Sequence, residues 1–144
     1  MSYEVPHTGI EEVDGQLHVL LYHLLRFPPT GAERRLIKVA LGRLDELWME
    51  HCKSEEALMV KHAYLEREHH LAGHQRISLA INAAQDRFSK GQDVSLEMTV
   101  TLREWLIDHI LILDMQLADW ITRDSAAGFQ DSASTLGPRL QTSD

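Results

Sequence analysis

Three short patterns constrain this chain more than any other feature, because each pairs two metal-binding side chains about one helical turn apart. The three pairs are His51 with Glu55, His70 with His74, and His109 with Asp114. Residues four apart on a helix lie on one face, roughly 6 Å from each other. That separation lets two side chains converge on one metal ion. Three such pairs, on three separate predicted helices, favour a shared metal centre.

The apolar residues recur at helical spacing in four segments, so we expect four amphipathic helices. The predicted spans are residues 8 to 27, 30 to 63, 66 to 88 and 95 to 123. Capping-box patterns open the first two helices at Thr8 and Thr30, and Ser95 can cap the fourth. Short connections predict an all-α, antiparallel, up-down-up-down four-helix bundle over residues 1–123. Residues 124–144 are rich in small and polar residues, which predicts a flexible C-terminal tail or a linker to an output domain outside this chain.

Charge and composition exclude several classes of partner. The 144 residues include 22 acidic and 14 basic side chains, for a net charge of −8. This charge disfavours binding to nucleic acid or to an anionic membrane. No segment predicts a membrane span or a signal peptide, so a cytoplasmic location is expected. The single cysteine, Cys52, excludes an internal disulfide.

The inward faces of the amphipathic helices in a bundle surround a common axis. The six paired residues are therefore expected to point into the core. Buried ionisable groups are costly unless they are paired or bind metal. Imidazole and carboxylate donors suit iron, manganese or zinc, and carboxylates that can bridge favour two ions over one. The step from His109 to Asp114 is five residues, about 140° further around an α-helix, so Asp114 is expected to reach sideways.

These motifs resemble those of the haemerythrins, specifically the bacterial bacteriohaemerythrins. The resemblance covers residues 9 to 121. It includes the opening segment at 9–16, H-x-x-x-E-E-x-L-M at 51–59, H-x-x-x-H at 70–74 and W-L-x-x-H-I-x-x-x-D at 105–114. It implies a bundle with a non-haem diiron centre that binds oxygen.

The resemblance also implies the arrangement of the ligands. The two Fe ions would be joined by an oxo or hydroxo bridge and by the carboxylates of Glu55 and Asp114. Three histidines would hold one iron and one would hold the other: His70, His74 and His109 for the first, His51 for the second. O2, water or a small anion would be the exogenous ligand.

Two residues depart from the family pattern, and both fall at the iron that keeps His51. Leu17 stands where the family has a histidine ligand, and Cys52 stands where it usually has phenylalanine. His18 is the next candidate ligand, but it lies about 100° around the helix and is expected to face solvent. Cys52 is expected to be a small buried apolar residue rather than a thiolate ligand. We therefore expect a roomier, wetter site. The residues expected around the ligand pocket are Leu17, Leu20, Cys52, Trp105, Leu106 and Ile110.

An open site favours redox chemistry over reversible carriage of oxygen. The first hypothesis is a domain that senses oxygen or redox state. The second is a diiron oxidase or peroxidase-like scavenger, and the third an ordinary oxygen carrier or store. Peroxide, nitric oxide and azide-type anions are further expected ligands. A ligand-binding or sensor domain is expected rather than an enzyme, so no catalytic residue is assigned. A bundle whose metal site has decayed remains a fourth alternative.

Overall fold

Four helices form the bundle in the computed structural model, which describes residues 7–136 and, for residues 128–136, the backbone only. The first three helices are α1 (Glu11–Leu25), α2 (Arg34–Lys61) and α3 (Arg67–Ser89). The fourth helix begins at Ser95 and contains α4 (Arg103–His109) and α5 (Met115–Leu136). Two π-helical segments interrupt it, π1 (Glu97–Leu102) and π2 (Ile110–Asp114). No strand occurs between residues 7 and 136.

Each helix packs against two others, so the bundle closes around one core. Helix α2 contacts α1 and α3, and the fourth helix contacts α1 and α3 through π1 and α4. The predicted all-α, up-down-up-down four-helix bundle is confirmed. Within the described range, no helix is both long enough and apolar enough to span a bilayer.

The core consists of two apolar clusters. The larger, which we call the main cluster, contains buried residues of all four helices, including Leu17, Trp48, Ile77 and Leu106. The smaller, which we call the second cluster, consists of Met59, Tyr64, Leu117 and Ile121.

The predicted helix caps are wrong, although the predicted helices exist. The N-cap residues of α1 and α2 are Ile10 and Glu33, and neither makes a capping hydrogen bond through its side chain. At the fourth helix, the buried Ser95 hydroxyl has no hydrogen-bond partner among the described residues. The Ser95 amide instead donates to Asp93 Oδ1 at 2.8 Å.

A carboxylate from the first turn orders the start of α1. The backbone N–H and the hydroxyl of Thr8 both donate to Asp14 Oδ1 at 2.7 Å, and the Gly9 N–H donates to Asp14 Oδ2 at 3.1 Å. Burial alone raises the pKa of Asp14, but the hydrogen bonds from Thr8 and Gly9 outweigh it and lower the pKa below its ordinary value. Asp14 therefore holds the lead-in segment against the helix in its ionised form.

The predicted end of the fourth helix near Arg123 is also wrong, because the helix continues to Leu136. Much of the expected flexible tail is therefore helical. Residues 137–144 lie outside the described range, so the division of the chain at residue 124 stays a prediction.

Replacing Asp14 with alanine should lower the free energy of unfolding by about 1–2 kcal/mol, because three donors lose a charged acceptor. Urea unfolding of the two proteins would measure the difference. Glu11→Ala is the matched control, since it removes an exposed carboxylate from the first turn of the same helix. Equal losses for the two variants would contradict the role assigned to Asp14.

Candidate metal centre

All six ligand candidates predicted from the sequence meet in the interior of the bundle. Helix α2 contributes the first pair, α3 the second, and the fourth helix the third. The six residues, with their exposed fractions, are His51 0%, Glu55 1%, His70 1%, His74 3%, His109 5% and Asp114 1%. The i to i+4 spacing thus places both members of the first two pairs on the buried face of one helix.

Glu55 lies at the centre of the cluster. Its Oε1 atom is 2.9 Å from His51 Nε2, 3.1 Å from His70 Nε2 and 2.9 Å from His74 Nε2. One carboxylate oxygen is therefore shared by imidazoles from two helices.

Asp114 presents its two oxygens to different histidines. Oδ1 is 3.1 Å from His70 Nε2 and 3.0 Å from His109 Nε2, whereas Oδ2 is 3.2 Å from His51 Nε2. The ligand atoms of one group lie within 4.8 Å of one another: Glu55, His70, His74, His109 and Asp114. His51 is outside this group, although its Nε2 atom is within 3.2 Å of an oxygen of each carboxylate. The arrangement is asymmetric, with three imidazoles in the compact group and one beside it.

The π2 segment explains how His109 and Asp114 reach the same site. The expectation that Asp114 reaches sideways, 140° around an α-helix, is wrong, because the backbone between the two residues is π-helical. A π-helix closes i to i+5 hydrogen bonds, which brings residues five apart close to the same face of the helix. This turn aligns the two side chains, and their nearest atoms are 3.0 Å apart.

The cluster holds its carboxylates ionised and two of its imidazoles protonated when no metal is bound. Burial alone lowers the pKa of His51 and His70, but hydrogen bonds to Asp114 and Glu55 outweigh it and raise the pKa to about 10 and about 9 respectively. Burial alone raises the pKa of Glu55, but hydrogen bonds from three histidines outweigh it and lower the pKa to about 2. The pKa of Asp114 likewise falls well below its ordinary value, against the effect of burial.

His74 and Cys52 remain uncharged in this environment. Burial lowers the pKa of His74 despite its contact with Glu55. Burial, assisted by the carboxylate of Glu55, raises the pKa of the Cys52 thiol. The free thiol is therefore a poor thiolate ligand, in agreement with the expectation that Cys52 is a small buried apolar residue.

The donor set fits metal ions. The outer Nδ1 atoms of His51, His70 and His74 are buried without a hydrogen-bond partner in the described part of the chain. Their inner Nε2 atoms all point at carboxylate oxygens. A cation would neutralise the two buried negative charges and take the inner nitrogens as ligands, and it would displace the protons that His51 and His70 carry without metal. The cluster is thus able to bind metal, and the identity of each ligand stays a prediction.

The sequence motifs do not predict Trp48 as a site residue, but it forms one wall of the cluster. Its ring centroid is 5.5 Å from those of His51, His74 and His109, and the side chain is fully buried. The indole N–H donates to Ser78 Oγ at 3.0 Å, which fixes the ring. Its position three residues before His51 is the signal that could have placed it beside the site.

Most residues predicted around the ligand pocket are packed in the main cluster. These residues are Leu17, Leu20, Cys52, Leu106 and Ile110, and none is more than 7% exposed. The expected roomy, wet site is not supported by this packing, because Leu17 is completely buried among apolar neighbours. His18 is exposed on α1, as predicted, and so faces away from the cluster.

Trp105 does not share this burial. It is half-buried, carries the guanidinium of Arg76 4.3 Å above its ring, and borders a surface cavity of about 480 Å³. The cavity lies between α3 and the fourth helix, and Gly73 and His109 are also in its wall.

No family model matches the chain, but individual proteins do. The protein named Bacteriohemerythrin from Pseudomonas paraeruginosa is 29% identical over 106 residues, 72% of this chain and 69% of that protein. The Bacteriohemerythrin of Stenotrophomonas maltophilia is 27% identical over 117 residues, 80% of this chain and 76% of that protein. A crystal structure of wild-type hemerythrin superposes with a TM-score of 0.77 at 24% identity, covering 84% of this chain and 97% of that one.

These similarities in sequence and fold support a haemerythrin-family domain. The haemerythrin family implies non-haem iron, and the buried histidine and carboxylate cluster agrees with that requirement.

The metal-free domain should be most stable between about pH 4.5 and 6.5. Glu55 and Asp114 have lowered pKa values, so their contribution is present above the ordinary carboxyl pKa and is lost as the pH falls. His51 and His70 have raised pKa values, so their contribution is present below the ordinary value of 6.5 and is lost as the pH rises towards about 9 to 10.

Urea unfolding at a series of pH values would measure this profile. His18→Gln, which removes an exposed imidazole, should leave it unchanged. A free energy of unfolding that stays constant from pH 5 to 10 would contradict the assigned charge states.

Proposed function

We propose that this haemerythrin-family domain holds two iron ions, binds O2 between them and its apolar wall, and reports oxygen or redox state through the oxidation state of the centre. The observation that carries the proposal is the position of Asp114. Its two oxygens face different imidazoles, 3.1 and 3.2 Å from His70 and His51. A carboxylate so placed can serve two cations at once.

The proposed roles follow from the contacts of each residue. Glu55 and Asp114 would bridge the two ions, since each touches histidines on both sides of the cluster. His70, His74 and His109 would hold one ion, and His51 would contribute to the other. When bound, the iron pair supplies a reducing centre that can give electrons to O2.

Leu17 is the basis for proposing a sensor. It supplies no donor atom, so the ion beside His51 would have fewer protein ligands than its neighbour. Positions that no side chain fills are available to O2, water or a small anion. An under-ligated ion is more easily oxidised and exchanges ligands faster, which suits a domain whose oxidation state carries the signal.

Oxygen carriage is the second candidate, and the burial of the pocket residues favours it. Leu17, Leu20, Leu106 and Ile110 are each 2% exposed or less. A dry, apolar wall excludes the water and anions that promote irreversible oxidation. The missing ligand and the dry wall thus favour opposite outcomes, and the lifetime of the oxygenated protein separates them.

Metal analysis with optical spectra before and after exposure to air tests the proposal. We expect two irons per chain, and conversion within minutes to an oxidised spectrum that shifts when azide is added. A long-lived oxygenated spectrum would favour oxygen carriage over the sensing function. One metal ion or none would contradict the diiron proposal itself.

A pair of neighbouring glutamates provides a matched control for the site. Glu55→Gln should weaken metal binding by more than about a hundredfold, because a bridging ligand contributes more than an outer-shell partner. Glu56→Gln changes an adjacent carboxylate that, among the described residues, forms no ion pair with His51, His70, His74 or His109, so it should retain both ions. Equal metal content in the two variants would exclude Glu55 as a ligand.

Restoring an imidazole at position 17 tests the role of the missing ligand. Leu17→His should slow oxidation in air by about tenfold or more, since it fills a coordination position and holds the ion more tightly. Leu17→Ala is the control, because it removes the leucine without adding a donor and should not slow oxidation. Stopped-flow absorbance would measure the oxidation rates of the parental protein and the two variants. Equal rates for all three would contradict the proposed role of Leu17 in sensing.

A further inference from the structure

Gly73 has closer neighbours than the helical glycines Gly15 and Gly42. It lies in the third helix between His70 and His74, on the side that faces His109. A Cβ atom built on Gly73 would be 2.6 Å from Leu113 Cδ1, 3.0 Å from His109 Nδ1 and 3.1 Å from His109 Cε1. Any side chain at this position would therefore press on the imidazole ring.

Two other helical glycines show that this crowding is particular to Gly73. A Cβ atom built on Gly15 or Gly42 meets no atom within 4 Å. Glycine within a helix reduces its stability relative to alanine. At position 73 this cost comes with a close approach of α3 to the fourth helix, beside a residue that belongs to the metal cluster.

The two contacts at Gly73 differ in how easily they can be relieved. Leu113 Cδ1 is the end of a flexible, half-buried side chain, which can rotate away. The His109 ring has less room to move, because it is buried, its Nε2 atom lies 3.0 Å from Asp114 Oδ1 and its centroid is 5.5 Å from that of Trp48. A Cβ atom would displace the imidazole by a few tenths of an ångström. Metal-ligand distances tolerate about 0.2 Å.

We propose that Gly73 is a positioning residue for the metal centre: its missing side chain sets where the His109 imidazole stands relative to Asp114. The inference rests on the proposed function, because it concerns His109 as a metal ligand. The third helix thus contributes to the site in two ways. It supplies His70 and His74, and it leaves the space into which the His109 ring fits.

Binding of Co²⁺ in place of iron would test this role, because its visible absorption bands report ligand geometry. The decisive protein is Gly73→Ala combined with Leu113→Ala, which removes the leucine contact and leaves the imidazole contact. Leu113→Ala alone is the reference for packing, and Gly42→Ala is the control for adding a methyl group to a helix interior.

We expect the double variant to fold, with a thermal midpoint close to that of Leu113→Ala, and to bind Co²⁺ about tenfold more weakly with shifted absorption bands. Gly42→Ala and Leu113→Ala should keep the parental bands. A merely structural role for Gly73 would change the midpoint and leave the bands in place.

The other outcomes overturn the inference. Parental affinity and bands in the double variant would mean that the His109 ring does not depend on Gly73. Failure of the double variant to fold would mean that the helix backbones, rather than the ring, need the gap. If the parental protein binds neither Co²⁺ nor iron, the proposed function itself fails. This failure is distinguishable from failure of the Gly73 inference, because it requires no variant.

Discussion

The burial of four imidazoles and two carboxylates in one helical core is the constraint on which the rest of the structure depends. An isolated buried carboxylate is strongly destabilising, so Glu55 and Asp114 require partners from other helices. Those partners are within reach only if α2, α3 and the fourth helix place these histidines and carboxylates at the same depth. The packing of the helices and the ring of Trp48 keep these groups close together. The gap at Gly73 leaves room for the His109 ring.

The sequence predicts the site better than it predicts the ends of the helices. His51 with Glu55 and His70 with His74 could be placed, because a fixed spacing on an ordinary α-helix determines which face two residues share. The cap at Asp14 could not, because its carboxylate reaches back from inside the helix to Thr8. Capping patterns in a sequence assume that the donor and the acceptor stand at fixed positions. In this chain the amides of Thr8 and Gly9 instead donate to Asp14.

The site also contains features that no local pattern predicts. Compared with the family pattern, Leu17 removes a metal ligand and Cys52 removes a bulky ring. The neighbouring side chains nevertheless pack around both residues. The degree of filling depends on contacts between helices far apart in the chain. The same holds for Gly73, whose importance is visible only when Leu113 and His109 are seen beside it.

The π2 segment has a consequence beyond the site. A turn of this kind contains one residue more than an α-turn, so every side chain after Asp114 is rotated by about 100° relative to an uninterrupted α-helix. Leu117 and Ile121 join Met59 and Tyr64 in the second cluster in that rotated phase. The backbone turn that aligns Asp114 with His109 therefore also sets the register of the apolar stripe beyond it, so the chemistry of the centre and the packing of the far end of the bundle share one structural origin.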